Sequence, residues 1–230
     1  MPILYYTSDD GDVNDLRPMT EDEQLATYQQ LKDEDPTILA DLYLDFHDFG
    51  QIEFLIFRDR LSSAVLMSNA ARKALTEAMS RLEAKRADGS YIDPEWPAES
   101  GDYFDMTEHV TNDAYRISLG ATIVTAVAAL ESLLIDLTPA PKPQGLSRLL
   151  QAFLTRYNVP ATQADDIMAM SRSIAKRRNT FAHSLYGSYW ETDPSIAAMF
   201  TPGTMEDTLH VVGQVAVLID DIVQTGSPAP

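Results

Sequence analysis

The chain has no cysteine. That excludes disulfides and thiolate metal sites and removes one argument for an oxidising compartment. Basic residues are scarce too: 17 Lys+Arg stand against 35 Asp+Glu, a formal net charge of -18. The deficit is uneven. Residues 1–110 hold 24 acids against 9 basic residues, a net of -15, and residues 111–230 hold 11 against 8, a net of -3. General nucleic-acid binding rests on neutralising phosphates, so bulk charge argues against it, and any RNA chemistry must use a local basic patch. P-loop, dinucleotide-binding, His-Glu-x-x-His, nucleophile-elbow and zinc-spacing motifs are all missing, which leaves no cofactor or metal to expect. No strand-rich segment and no repeat occurs. The start, Met1-Pro2-Ile3-Leu4-Tyr5-Tyr6 followed by acids, lacks the basic and apolar regions of a signal peptide. The longest apolar run, Leu119 to Leu137, is interrupted by Glu131 and Asp136 and reads as a buried helix rather than a membrane span. A soluble, cytoplasmic protein is expected.

What is present is helical pattern. Thr20-Glu21-Asp22-Glu23 is a capping box that opens a helix to about Lys32. Pro36 suits the first turn of a second helix running through Phe49 to a break at Gly50. Asp41 and Asp45 share its face, which reads as a solvated surface rather than a metal site; so does the acidic stretch Asp9-Asp10-Gly11-Asp12. Phe54, Phe57, Leu61, Val65, Leu75, Met79 and Leu82 mark a long helix from Ile52 to about Ala87. Residues 88–103, with Pro94, Pro97 and Gly101, read as a linker. This divides the chain into an acidic helical N-terminal region, 1–103, and a helical bundle, 104–230. Within the bundle the pattern predicts helices over about 105–137, 146–157, 162–185 and 205–224, with a short turn after Asp193-Pro194. The fold class is all-α.

Two charges occupy apolar stripes. On an ideal helix Glu131 falls with Gly120, Val124, Val127, Ala128, Leu134 and Ile135, and Arg178 falls with Ile167, Met170, Ile174, Phe181 and Leu185. An ionised carboxylate removed from water needs a cation or several donors. Pairing Glu131 with Arg178 answers both anomalies, and breaking such a pair, if buried, costs about 3–5 kcal/mol. Arg172, Lys176 and Arg177 cluster with Arg178 within about two helical turns as a candidate RNA-binding patch. His47, His109 and His210 read as exposed or structural residues without partners.

Arg178-Asn179-Thr180-Phe181-Ala182-His183 resembles the Arg-x(4 to 6)-His motif of HEPN domains, including the polar residue after the arginine. Thr125-Ala126-Val127-Ala128-Ala129-Leu130-Glu131-Ser132-Leu133-Leu134 looks like that family's first core helix with its embedded Glu-Ser. The likeness covers about the second half of the chain. It implies a helical bundle of HEPN type with an additional N-terminal region, and a homodimer whose two protomers build one metal-independent ribonuclease site. Arg178 and His183 would be the catalytic pair, Asn179 the orienting residue and Glu131 the support for Arg178. The chain departs from HEPN toxins silenced by nucleotide transfer, in which a tyrosine stands two positions after the histidine; here that position is Leu185, followed by Tyr186.

The residue types suit RNA cleavage by internal transesterification. Histidine near neutral pKa can move protons and a guanidinium can stabilise the gathering phosphate charge. One histidine cannot be acid and base at once, but two copies of His183 across a dimer divide the roles. Expected partners are therefore RNA, a second copy, and an antitoxin or regulatory protein in a toxin or defence setting. The alternative is a non-catalytic helical dimerisation or partner-binding module. A further expectation is that the acidic first half restrains the basic site, which a truncation beginning near Gly101 would reveal.

Overall fold

A computed structural model of the chain describes residues 5–6, 17–138, 145–184 and 199–226, with side chains from 19 onward except at 183–184. Tyr5–Tyr6 (β1) pairs antiparallel with Arg17–Pro18 (β2). Everything longer among the described residues is helical: α1 Glu21–Leu31, α2 Ile52–Asp88, α3 Pro97–Leu137, α4 Leu146–Arg156, α5 Ala161–Ser184 and α6 Pro202–Thr225. The fold is all-α, as the periodicity implies. The acidic Asp9–Asp12 stretch, the turn after Asp193-Pro194, and Leu185 and Tyr186 lie outside the described residues.

The starts of α1 and α6 follow sequence chemistry. Thr20 caps α1 through the Glu23 N–H while Glu23 reaches back to Thr20, and Thr201 and Thr204 do the same for α6. Residues 36–49 depart from expectation. Instead of one helix they form two 3-10 turns, Pro36–Ile38 and Asp41–Leu44, followed by Asp45 and Phe46 in the left-handed region at φ 49° and 53°. That reversal lets Leu44 and Phe49 reach the core on either side of the bend. The expected linker at 88–103 is also replaced. α2 ends at Asp88 with Gly89 in a left-handed cap, and Pro97 is the first residue of α3, so only a short turn separates two long antiparallel helices.

α3 is the spine. α2 lies along it, and α4, α5 and α6 pack on its C-terminal half. One hydrophobic cluster joins Leu39, Leu44, Phe54, Phe57 and Leu61 to Ile123, Leu130, Phe153, Ile174 and Ile219. The expected boundary at residue 103 therefore falls inside a hairpin, with shared core on both sides. A truncation near Gly101 would strip α2 from that core and so cannot isolate an effect of acidic charge. By length and composition α3 could also cross a membrane; 56% of its most apolar window is buried inside the fold.

Two glycines set close approaches. A Cβ at Gly120 of α3 would overlap the Phe181 ring of α5, and one at Gly213 of α6 would overlap the carbonyl of Tyr43. The expected patternless surface histidines are instead engaged. His47 Nε2 lies 2.7 Å from Oδ2 of fully buried Asp220, His109 lies 3.1 Å from Asp113, and His210 meets the Tyr43 ring edge-on at 4.9 Å.

Asp41, expected on a wet helical face, is half-buried, and burial pushes its carboxyl up to about 6, against the pull of Arg58. An acid with a raised folded-state pKa binds its proton more tightly folded than unfolded. Its contribution is thus fully present at low pH and is lost as pH rises from 3.8 to about 6. Asp41→Asn should raise stability at neutral pH by about 1–2 kcal/mol and remove part of the decline between those pH values, as read by urea denaturation across pH. Gly120→Ala should lower stability by about 1–3 kcal/mol, because the Phe181 ring must leave its position.

Candidate functional site

The site assembles where α3, α4 and α5 meet. Glu131 sits on α3 with 14% of its side chain exposed, and Arg178 sits on α5 with 34%. Arg178 Nη2 donates to Glu131 Oε2 at 3.4 Å, so the expected pair forms. It forms at the solvent edge of the bundle and not in its core. The reason is visible in the stripe itself: Val127 and Leu134 are buried, but Ala128 and Ile135 are exposed.

The second Glu131 oxygen has a partner that the sequence stripe does not announce. Oε1 accepts the Leu146 N–H at 2.9 Å. Leu146 opens α4, whose N-cap, Gly145, has no side chain to satisfy the first amides. Glu131 therefore caps α4 from a neighbouring helix and places a carboxylate at the positive end of its dipole. The adjoining Ser132 accepts from Arg60 Nη1 at 2.5 Å, so the Glu-Ser step ties α3 to α2, α4 and α5 together.

Asn179, expected to orient His183, directs Oδ1 to Arg178 Nη1 at 3.0 Å. The backbone of His183 continues α5 and its side chain lies outside the described residues. Glu131, Leu146, Ser147, Arg148, Arg178 and Asn179 line an open cavity of about 170 Å³. That is smaller than the ~300–1,000 Å³ of pockets that enclose whole organic ligands, and it suits a single group such as a phosphate. Two guanidiniums and one carboxylate border it, leaving the rim cationic by one charge.

The four basic residues of α5 do not share one face. Successive residues turn by about 100°, so four cations in two turns leave the helix in different directions. Arg172 and Lys176 share an exposed face. Arg177 turns to α6, where Nη1 donates to the Thr204 carbonyl at 3.1 Å and to Thr208 Oγ1 at 2.8 Å, and Nη2 lies 3.9 Å from Asp207. These contacts fasten α5 to α6. Arg178 alone of the four reaches the cavity. Arg148, absent from the sequence-derived set, lines it too; a basic residue in the first turn of a helix runs against the dipole, and that was the available signal. Among the described residues no group of three or more His, Asp or Glu side chains could hold a metal ion.

No family model, curated protein or solved structure matches the chain.

The long, partly exposed ion pair itself is worth about 0–1 kcal/mol and the capping contact about 0.5–2 kcal/mol. Glu131→Ala should therefore lower stability by about 1–2 kcal/mol, below the buried-pair figure. Glu131→Gln, which keeps an acceptor for the Leu146 N–H, should lose less. Chemical denaturation of both variants checks the order.

Proposed function

We propose that the chain is a metal-independent endoribonuclease of HEPN type, a cytoplasmic toxin or defence effector that works as a homodimer and is held in check by an antitoxin or regulatory protein. The observation that carries this reading is the Glu131–Arg178–Asn179 cluster bordering a phosphate-sized cationic cavity, on the same helix as His183. Glu131 fixes the guanidinium before substrate arrives, and the start of α4 adds a helix dipole favourable to an anion.

In the reaction, the RNA 2′-hydroxyl oxygen attacks the adjacent phosphorus while its proton passes to His183 of one protomer. The bond from phosphorus to the 5′-oxygen breaks, and that oxygen takes a proton from His183 of the second protomer. The products are a 2′,3′-cyclic phosphate and a 5′-hydroxyl. Arg178 stabilises charge on the non-bridging oxygens as the phosphorus becomes five-coordinate.

One observation favours the non-catalytic alternative, a helical dimerisation or partner-binding module. Both terminal nitrogens of Arg178 already have partners, Nη1 with Asn179 and Nη2 with Glu131. In the nuclease reading the phosphate must share these donors or displace Asn179.

His183→Ala should abolish RNA cleavage and toxicity while leaving the fold intact, and Arg178→Ala should lower cleavage by about 10²–10³-fold, the loss typical of a charge-stabilising donor. EDTA should leave the wild type active, and end-labelling should find 2′,3′-cyclic phosphates. Cleavage that survives His183→Ala or needs a divalent ion transfers the case to the interaction-module reading.

A further inference from the structure

The far half of the α2–α3 hairpin has almost no core of its own. Between residues 69 and 118, Phe104 is the one large apolar side chain that is buried, under Tyr91 and the Arg86 guanidinium. Beside it runs an exposed apolar line: Tyr103 at 69%, Met106 at 59%, Val110 at 60% and Ile117 at 36% exposure. The steps of three, four and seven residues are those of a heptad seam, and the four side chains fall within about 60° of arc on α3. The seam lies roughly 100° or more around the helix from the Phe104 face that meets α2, so among the described residues it is a second face left without cover.

The charges around it have a pattern. From 97 to 118, α3 carries five acids, Glu99, Asp102, Asp105, Glu108 and Asp113, against Arg116 alone. From 71 to 88, α2 carries five basic residues, Arg72, Lys73, Arg81, Lys85 and Arg86, against three acids. The Arg60–Ser132 and Arg86–Asp105 contacts set the register between the helices. In that register a twofold axis at Val110, with the two hairpins antiparallel, brings Lys73 of a second copy level with Glu99 and Asp102. It brings Arg81 and Lys85 of that copy level with Glu108 and Asp113. A parallel arrangement would instead set the acids of the two α3 helices against each other. Within one hairpin Glu108 already pairs with Arg86 and Asp113 with His109, so the main charge contact offered to a second copy is Lys73 with Glu99 and Asp102.

We propose that the hairpin seam is a self-association surface, at which two copies of this chain pack antiparallel as a four-helix bundle centred on Val110. Joining two bare helix pairs gives each the apolar partner that a lone pair lacks. The contact is distinct from the composite site proposed above. Glu131 is 21 residues from Val110, about 32 Å along α3, so the twofold sets the two Arg178 cavities about 60 Å apart. A protein that used both contacts would form an assembly larger than either dimer.

The test is the solution mass of the full chain, by light scattering or sedimentation at micromolar concentration. Val110→Glu and Met106→Lys alter exposed positions and should halve the mass while the circular dichroism spectrum stays native. Lys73→Glu should weaken association, and adding Asp102→Lys should restore it, which only the antiparallel register predicts. Unchanged mass in both seam variants overturns the proposal, and so does a wild type that is monomeric, which would leave the seam to a different protein. Failure of the charge swap to rescue association overturns the register. Ribonuclease activity is read separately, so loss of the seam and loss of the catalytic reading are distinguishable.

Discussion

α3 runs for 41 residues, but only its C-terminal half is enclosed by other helices, and that inequality governs the molecule. Gly120 marks the division. There the Phe181 ring lies so close to the α3 backbone that no Cβ fits, and α5 is drawn down onto the spine. From Leu119 to Leu134 the helix is buried on most sides; before it, among the described residues, α2 is its main companion. The crossing at Gly120 also fixes the direction in which the last turns of α5 leave the core. Arg178, three residues before Phe181, reaches the bundle edge because its neighbour is anchored.

At that edge the decisive group is a single carboxylate. Largely buried at the bundle edge, Glu131 holds two donors of different kinds: a guanidinium and a backbone amide at a helix start. The amide matters more than the charge. Exposed ion pairs contribute little, whereas an uncapped helix start leaves backbone N–H groups unpaired. The same carboxylate thus aligns α4 and orients Arg178. It also halves the positive charge that Arg178 and Arg148 bring to the cavity rim. Preorganisation and partial neutralisation are two results of one contact.

How much of this was legible in the sequence depended on range. Local chemistry was readable: the Thr20 capping box, the 3.6-residue periods and the Glu131–Arg178 pair all follow from spacing on one helix or on two. Residues 36–49 were not, because Pro36 with well-spaced apolar residues mimics a helix start. The bend at Asp45 and Phe46 is matched by contacts far away in sequence, among them His47 with Asp220, 173 positions on. The 88–103 stretch had linker composition, yet Pro97 is an ordinary first helical residue and the helix begins there. The basic cluster divides for a geometric reason: nearness in sequence on a helix is not a shared direction, and Arg177 turns to α6. Arg148 stood out in the sequence only as a cation in a first helical turn; its reach into the cavity depends on how α4 docks, which Glu131 decides.

The strong negative charge of the chain then has a smaller bearing on the site than its total implies. Exposed charges are screened over about 8 Å at physiological salt. Glu99, Asp102 and Asp105 lie some 26 to 32 residues from Glu131 on the same rigid helix, about 40–50 Å away, well beyond that range. A phosphate entering the cavity responds mainly to the two guanidiniums, the one carboxylate and the start of α4 around it. The acids of the hairpin act instead where they stand, beside the exposed seam. Distance along α3 therefore separates two electrostatic regions, and a net charge of -18 does not by itself prevent anion binding at the other end.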